Sequence, residues 1–164
     1  MIETAKLAGF CAAHGIWSVS DGETLIPLVG YEDANGERGL VRYAHDDIGD
    51  GARAAQDALE YNEEGWARAV LVADGYLRTD DGRRDAVIVE AVRYGLTPWS
   101  MKVAVPYVPK TAQSNFAVFR PKFISVAGFD DDSDHDPLAN AFFAGVDAHP
   151  DGAAAWNAHL HPSA

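Results

Sequence analysis

Two runs of β-forming residues, ARAVLVADGYLRT (67–79) and RRDAVIVEAVRY (83–94), meet at Asp81-Gly82. An Asp-Gly or Asn-Gly pair between such runs is a strong hairpin signal, because a two-residue reversal needs positive φ angles that these residues tolerate. A second signal, Asn35-Gly36, joins TLIPLVGY (24–31) to GLVRYAH (39–45). Counting outward from Asp81-Gly82 pairs Asp80 with Arg83, Thr79 with Arg84 and Arg78 with Asp85. Counting from Asn35-Gly36 pairs Asp33 with Arg38 and Tyr31 with Leu40. Opposite charges facing one another support both registers.

The longer hairpin fixes which side chains share a face. Its count sets Asp74 opposite Val89 and Glu90 opposite Ala73, and because neighbours on a strand point to opposite sides, the two carboxylates fall on different faces. A bulge at Gly75 would shift the parity by one residue and bring them together.

Around the hairpins, Leu7, Phe10, Cys11 and His14 recur at helical spacing, predicting a helix over about 2–14 that Gly15 ends. A second helix is expected over about 51–64, with Ile48, Ala52, Ala55 and Leu59 on one face, Asp50 as N-cap and Gly65 as the stop. Two further strands follow, 100–108 and 115–129, joined by PKTAQSN; Pro106, Pro109 and Pro121 cannot donate to a ladder, so this pair includes an edge or an interruption. Asp136 caps and Pro137 begins a third helix to about Ala148. A short helix from Asp151 is anchored by Trp156 and Leu160. The expected architecture is a single α+β domain in the order α-ββ-α-ββ-ββ-α, with a mostly antiparallel sheet of about six strands and the helices packed on one face.

The chain has 164 residues and a net charge of −12, which argues against nucleic-acid binding, since that affinity comes largely from bases displacing counterions. No segment is long and apolar enough to suggest a membrane span, the N-terminus does not read as a secretory signal, and the lone Cys11 suits a reducing compartment; cytoplasm is the expectation. The charge is unevenly spread. Residues 95–129 carry Lys102, Lys110, Arg120 and Lys122 without one acid. Interleaved with Trp99, Tyr107, Phe116, Phe119 and Phe123, they form a candidate surface for an acidic protein or a small anionic ligand; the competing reading is charge balance within the chain.

Other chemistry is weaker. In FDDDSDHDP, Asp130, Asp132, Asp134 and Asp136 alternate like calcium ligands, but His135 stands where an EF-hand loop needs Gly and Ala141 where it needs Glu. His149, His159 and His161, with Asp147 nearby, match no zinc spacing. His14 and His45 read as packed or hydrogen-bonded histidines. There is no nucleophile elbow, P-loop or dinucleotide fingerprint. A nuclease reading with Asp85 and Glu90 as metal ligands fails because Val92 stands where a lysine belongs. No metal or cofactor is expected.

These features favour a non-catalytic binding or interaction protein that self-associates through residues 100–125. One alternative is a small hydrolase-like enzyme using Asp74 or Glu90 with a histidine such as His45, in a pocket between sheet and helices. Another is a chaperone-like binder of a polypeptide client, an analogy from composition and fold alone.

Overall fold

The computed structural model describes residues 1–128 and 134–163. It is an α+β domain with the elements α1 (Ile2–Val19), β1 (Leu28–Glu32), β2 (Arg38–Arg42), α2 (Ile48–Tyr61), β3 (Arg68–Thr79), β4 (Gly82–Arg93), β5 (Trp99–Val108), β6 (Ala117–Val118), β7 (Lys122–Ala127), α3 (Asp136–Ala148) and α4 (Pro150–Ala158). The strands form one antiparallel sheet in the order β2-β1-β3-β4-β5, and β5 then pairs with β6 along one half and β7 along the other.

The expectation that all helices share one face is corrected by the structure. Helix α1 lies on the face that presents Val70, Val72, Val87, Val89, Val103 and Val105, and α3 and α4 pack outside it. Helix α2 covers the opposite face, setting Ala55 and Leu59 against Val29, Ala69 and Leu71, with Trp66 closing that cluster. The period-2 alternation of β3 gives apolar residues to both faces along its first half, so each face calls for a cover. Each fully buried Val or Ile contributes roughly 1.5–3 kcal/mol relative to exposure.

Gly15 does not end α1. The helix runs on to Val19, and a Cβ at Gly15 would stand 2.8 Å from Val72 Cγ1 and 3.0 Å from Val87 Cγ1. The glycine is there for close approach to the sheet. On the other side of α1, Gly9 and Gly145 let the backbones of α1 and α3 touch: a Cβ at Gly145 would collide with the Lys6 carbonyl oxygen, and one at Gly9 with that of Phe142.

Both hairpins form, with registers that differ from the sequence count. In the first, Gly36 alone takes a positive φ (83°), and the Asp33 carboxylate accepts from the amides of Asn35 and Glu37, giving a three-residue turn. Glu32 therefore faces Arg38 and Gly39 faces Tyr31, one residue off the expected pairing. The ion pairs follow suit: Glu32 binds Arg38 at 2.9 Å and Arg68 at 3.2 Å. In the second, Asp80-Asp81 is the loop and Thr79 pairs with Gly82, so Arg78 faces Arg83 and Asp85 faces Tyr76. The offset here is two residues, which preserves the face of every side chain. Gly75 pairs regularly with Ala86 and makes no bulge.

Helix α2 begins earlier than expected, with Asp47 as N-cap accepting from Asp50 N, and ends at Asn62 in the left-handed conformation. The predicted strand over 115–129 is interrupted at Arg120-Pro121, which separates β6 from β7, so the sheet has seven strands among the described residues. Trp156 is buried as the anchor of α4, whereas Leu160 is half exposed and forms a parallel bridge to Val118. No helix among the described residues is long and apolar enough to cross a membrane.

Candidate functional site

The proposed acid–base set is not assembled. Asp74 pairs with Val87 and Glu90 with Leu71, so the sheet separates the two carboxylates. Asp74 accepts at Oδ1 from the Tyr107 hydroxyl at 2.9 Å and from Gly75 N at 3.1 Å. Burial raises its pKa, opposed by the Tyr107 bond. Glu90 accepts from Lys102 Nζ at 2.7 Å across the β4–β5 rung. His45 is exposed in the loop between β2 and α2, with neither carboxylate as a hydrogen-bond or ion-pair partner.

The basic block divides four ways. Lys102 is taken up by Glu90. Lys110 lies in the loop after β5, against Gly22 in the turn that follows α1. Trp99 and Tyr107 are 2% and 5% exposed and belong to the core rather than to a binding surface. Arg120 and Lys122 do come together, in a groove of about 430 Å³ at the far end of the α2 face.

That groove grows out of the break at Arg120-Pro121. Phe119 N still bonds Pro106 O at 2.9 Å, but Pro121 has no N–H to continue, and the chain detours before Lys122 rejoins β5 opposite Ala104. The detour leaves Arg120 and Lys122 on one wall. The other wall is the β3–β4 hairpin, where Leu77, Thr79 and Arg84 share the face of Pro106 by register. The C-terminal segment supplies the third side: Val118 N donates to His159 O and His161 N to Val118 O, which carries His161 and Ser163 into the lining. Arg84 lies over the Phe119 ring at 4.2 Å, and the His161 ring stacks on Phe119 at 4.7 Å. Because His161 Nδ1 accepts from Ser163 N, its proton sits on Nε2 and can be offered to a ligand.

Among the described residues, Arg84, Arg120 and Lys122 form no ion pair and Asp81 is the one acidic residue in the lining. In a chain of net charge −12 the groove is thus a local basic site with donors on three sides. Arrays of this kind hold anionic oxygens. Sequence reasoning found Arg120 and Lys122 but missed Arg84 and His161. The signal for Arg84 was present in the strand alternation, which sets it on the face of Leu77 and Pro106.

The C-terminal histidines do not converge. His149 bonds His14 at 3.0 Å, His159 meets Phe116 edge-on, and His161 stacks on Phe119. Among the described residues no three of His, Cys, Asp and Glu are grouped so as to hold a metal. Asp130 and Asp132 of the acidic run lie outside the described residues; Asp134 accepts from Asp136 N at the start of α3.

No protein-family model matches the chain, and neither a curated protein nor a solved structure matches it.

Proposed function

We propose that the chain is a cytoplasmic, non-catalytic binding protein whose groove at Arg84, Arg120, Lys122 and His161 takes an anionic group from a small ligand or an acidic partner. The observation that carries this reading is the convergence of three bases without ion-pair partners among the described residues, in a strongly acidic chain. The aromatic support beneath Arg84 fixes one guanidinium in place before a ligand arrives, which lowers the ordering cost of binding. The lone Cys11, buried with its thiol pushed up to about 12 by burial, suits a compartment where thiols stay reduced.

Amide NMR with inorganic phosphate as the probe, at matched ionic strength, tests the reading. Saturable shifts are expected at residues 77–84 and 119–122, and the double variant Arg120→Gln, Lys122→Gln weakens binding by about tenfold or more, the scale of one lost charge-assisted hydrogen bond. Shifts scattered over the whole surface, or an unchanged affinity in the variant, would refute it.

The outer edge of β7 supports a second element of the reading, self-association. Among the described residues that strand pairs only with β5, and Phe123 and Ile124 are 40% and 50% exposed. A second copy adding its own β7 antiparallel to this edge would satisfy its outward backbone groups.

A further inference from the structure

A second groove, of about 470 Å³, is lined by Trp17, Ser18, Asp21, Glu23, Leu28 and Arg42. Beside it runs a chain of three polar contacts. Gly152 N donates to His149 Nδ1 at 2.8 Å, His149 Nε2 meets His14 Nδ1 at 3.0 Å, and His14 Nε2 meets Arg42 Nη2 at 3.3 Å. His149 is buried, between the rings of Phe10 and Trp17.

The ends of this chain are both donors. A backbone amide and a guanidinium have N–H groups and no lone pair to offer, while each neutral imidazole has one of each. Starting from Gly152, His149 Nδ1 accepts, so the His149 proton is on Nε2. It is given to His14 Nδ1, so the His14 proton is on Nε2, where it faces the N–H of Arg42. Two imidazoles in series between two donors always leave one contact with N–H against N–H. Protonating either ring does not help, because it replaces an acceptor with another donor. The mismatch costs least where a side chain can move, and of the three contacts only that at Arg42 involves an exposed, flexible group.

We propose that Arg42 and the Nε2–H of His14 form a two-donor site for a monoanionic carboxylate ligand. One oxygen between the two groups turns the unfavourable contact into two hydrogen bonds, and the second oxygen meets the planar fork of the guanidinium. Asp21 and Glu23 on the same rim oppose a second negative charge, which favours a carboxylate over a phosphate dianion. Trp17, 43% exposed and edge-on to His14 at 5.5 Å, offers an apolar wall for the remainder of the ligand. His149 is a positioning residue: anchored by the α4 amide, it sets the direction in which His14 presents its proton. This site is separate from the basic groove, and neither depends on the other.

Long-range proton–nitrogen NMR of the imidazoles at about pH 7.5, where unperturbed histidines are neutral, reads the tautomers directly. Both His14 and His149 are expected as Nε2–H. Titration with sodium acetate, against sodium chloride at equal ionic strength, then moves the His14 Nε2 signal saturably, and Arg42→Gln, a change at an exposed residue, weakens that response by about tenfold or more. Phosphate is expected to act more weakly than acetate. An Nδ1–H tautomer at His14, equal responses to acetate and chloride, an unaltered response in Arg42→Gln, or phosphate binding tighter than acetate would each overturn the assignment.

Discussion

Replacing Gly145 with Ala tests the contact between α1 and α3. In an isolated helix this change stabilises by about 1 kcal/mol, since Ala is the better helix former. Here the new methyl would run into the Lys6 carbonyl oxygen, with Lys6 C at 2.8 Å and Phe10 N at 2.9 Å. All three obstructing atoms are backbone, so no rotamer change relieves the overlap and the helices must separate. Overpacking of this sort costs typically 1–3 kcal/mol, and the upper part of that range applies where nothing flexible can yield. After the gain in propensity, the expected net loss is about 2 kcal/mol, equivalent to about 4–8 °C in Tm for a domain of this size. Urea unfolding followed by far-ultraviolet circular dichroism measures it, with an unchanged m-value as the sign that the folded state keeps its compactness. Ala144→Gly, at the exposed neighbouring position, is the matched control and should lose about 1 kcal/mol through propensity alone. A Gly145→Ala variant as stable as the parent, or more so, would refute the close-crossing argument.

Two further expectations follow from the histidine pair and the open edge. His14 and His149 both have pKa values lowered from 6.5, chiefly by burial and, for His14, by the neighbouring His149 and Arg42. The unfolded chain therefore binds protons first: the contribution is fully present above 6.5 and is lost as pH falls from there toward the depressed folded values, with a limiting slope of about 1.4 kcal/mol per pH unit for each ring. Urea titrations across this window should show the fall and a shallower one in His14→Gln; stability that rises on acidification, or an equal slope in the variant, sinks the explanation. At the sheet edge, light scattering after size exclusion at micromolar concentration should give twice the 17.6 kDa chain mass, and Ile124→Lys should return it to monomer; a parent protein that is already monomeric removes the edge-to-edge proposal.

The α+β class and the two hairpins were legible because Asn35-Gly36 and Asp81-Gly82 punctuate runs with strand-like alternation. The exact rungs were not. At the first turn, Asp33 ties down the amides of Asn35 and Glu37, and this local hydrogen bonding decided the loop length against the simple two-residue rule. At the second, the loop moved by one position along each strand, an even shift in register, and the separation of Asp74 from Glu90 survived. Gly15 misled for a different reason: a helix stop and a point of close packing use the same residue, and only Val72 and Val87 in space distinguish them. Arg120 and Lys122 were legible as a basic pair beside Pro121. Their partners Arg84 and His161 come from segments about 36 and 39 residues distant in the chain; strand alternation sets the face of Arg84, but nothing local to His161 points to the groove.

Helix α1 is enclosed, with the sheet beneath it and α3 and α4 above. As a ribosome delivers the fold, this segment precedes its partners: its neighbours in the sheet emerge tens of residues later, and the helices that roof it follow the sheet. Its apolar surface toward α3 and α4 must wait, uncovered, for more than a hundred residues of synthesis. Such long-separated pairings slow folding and leave greasy surface open to misassociation meanwhile. Folding in the cell should then be concerted and late, with little native structure before α3 and α4 have left the exit tunnel.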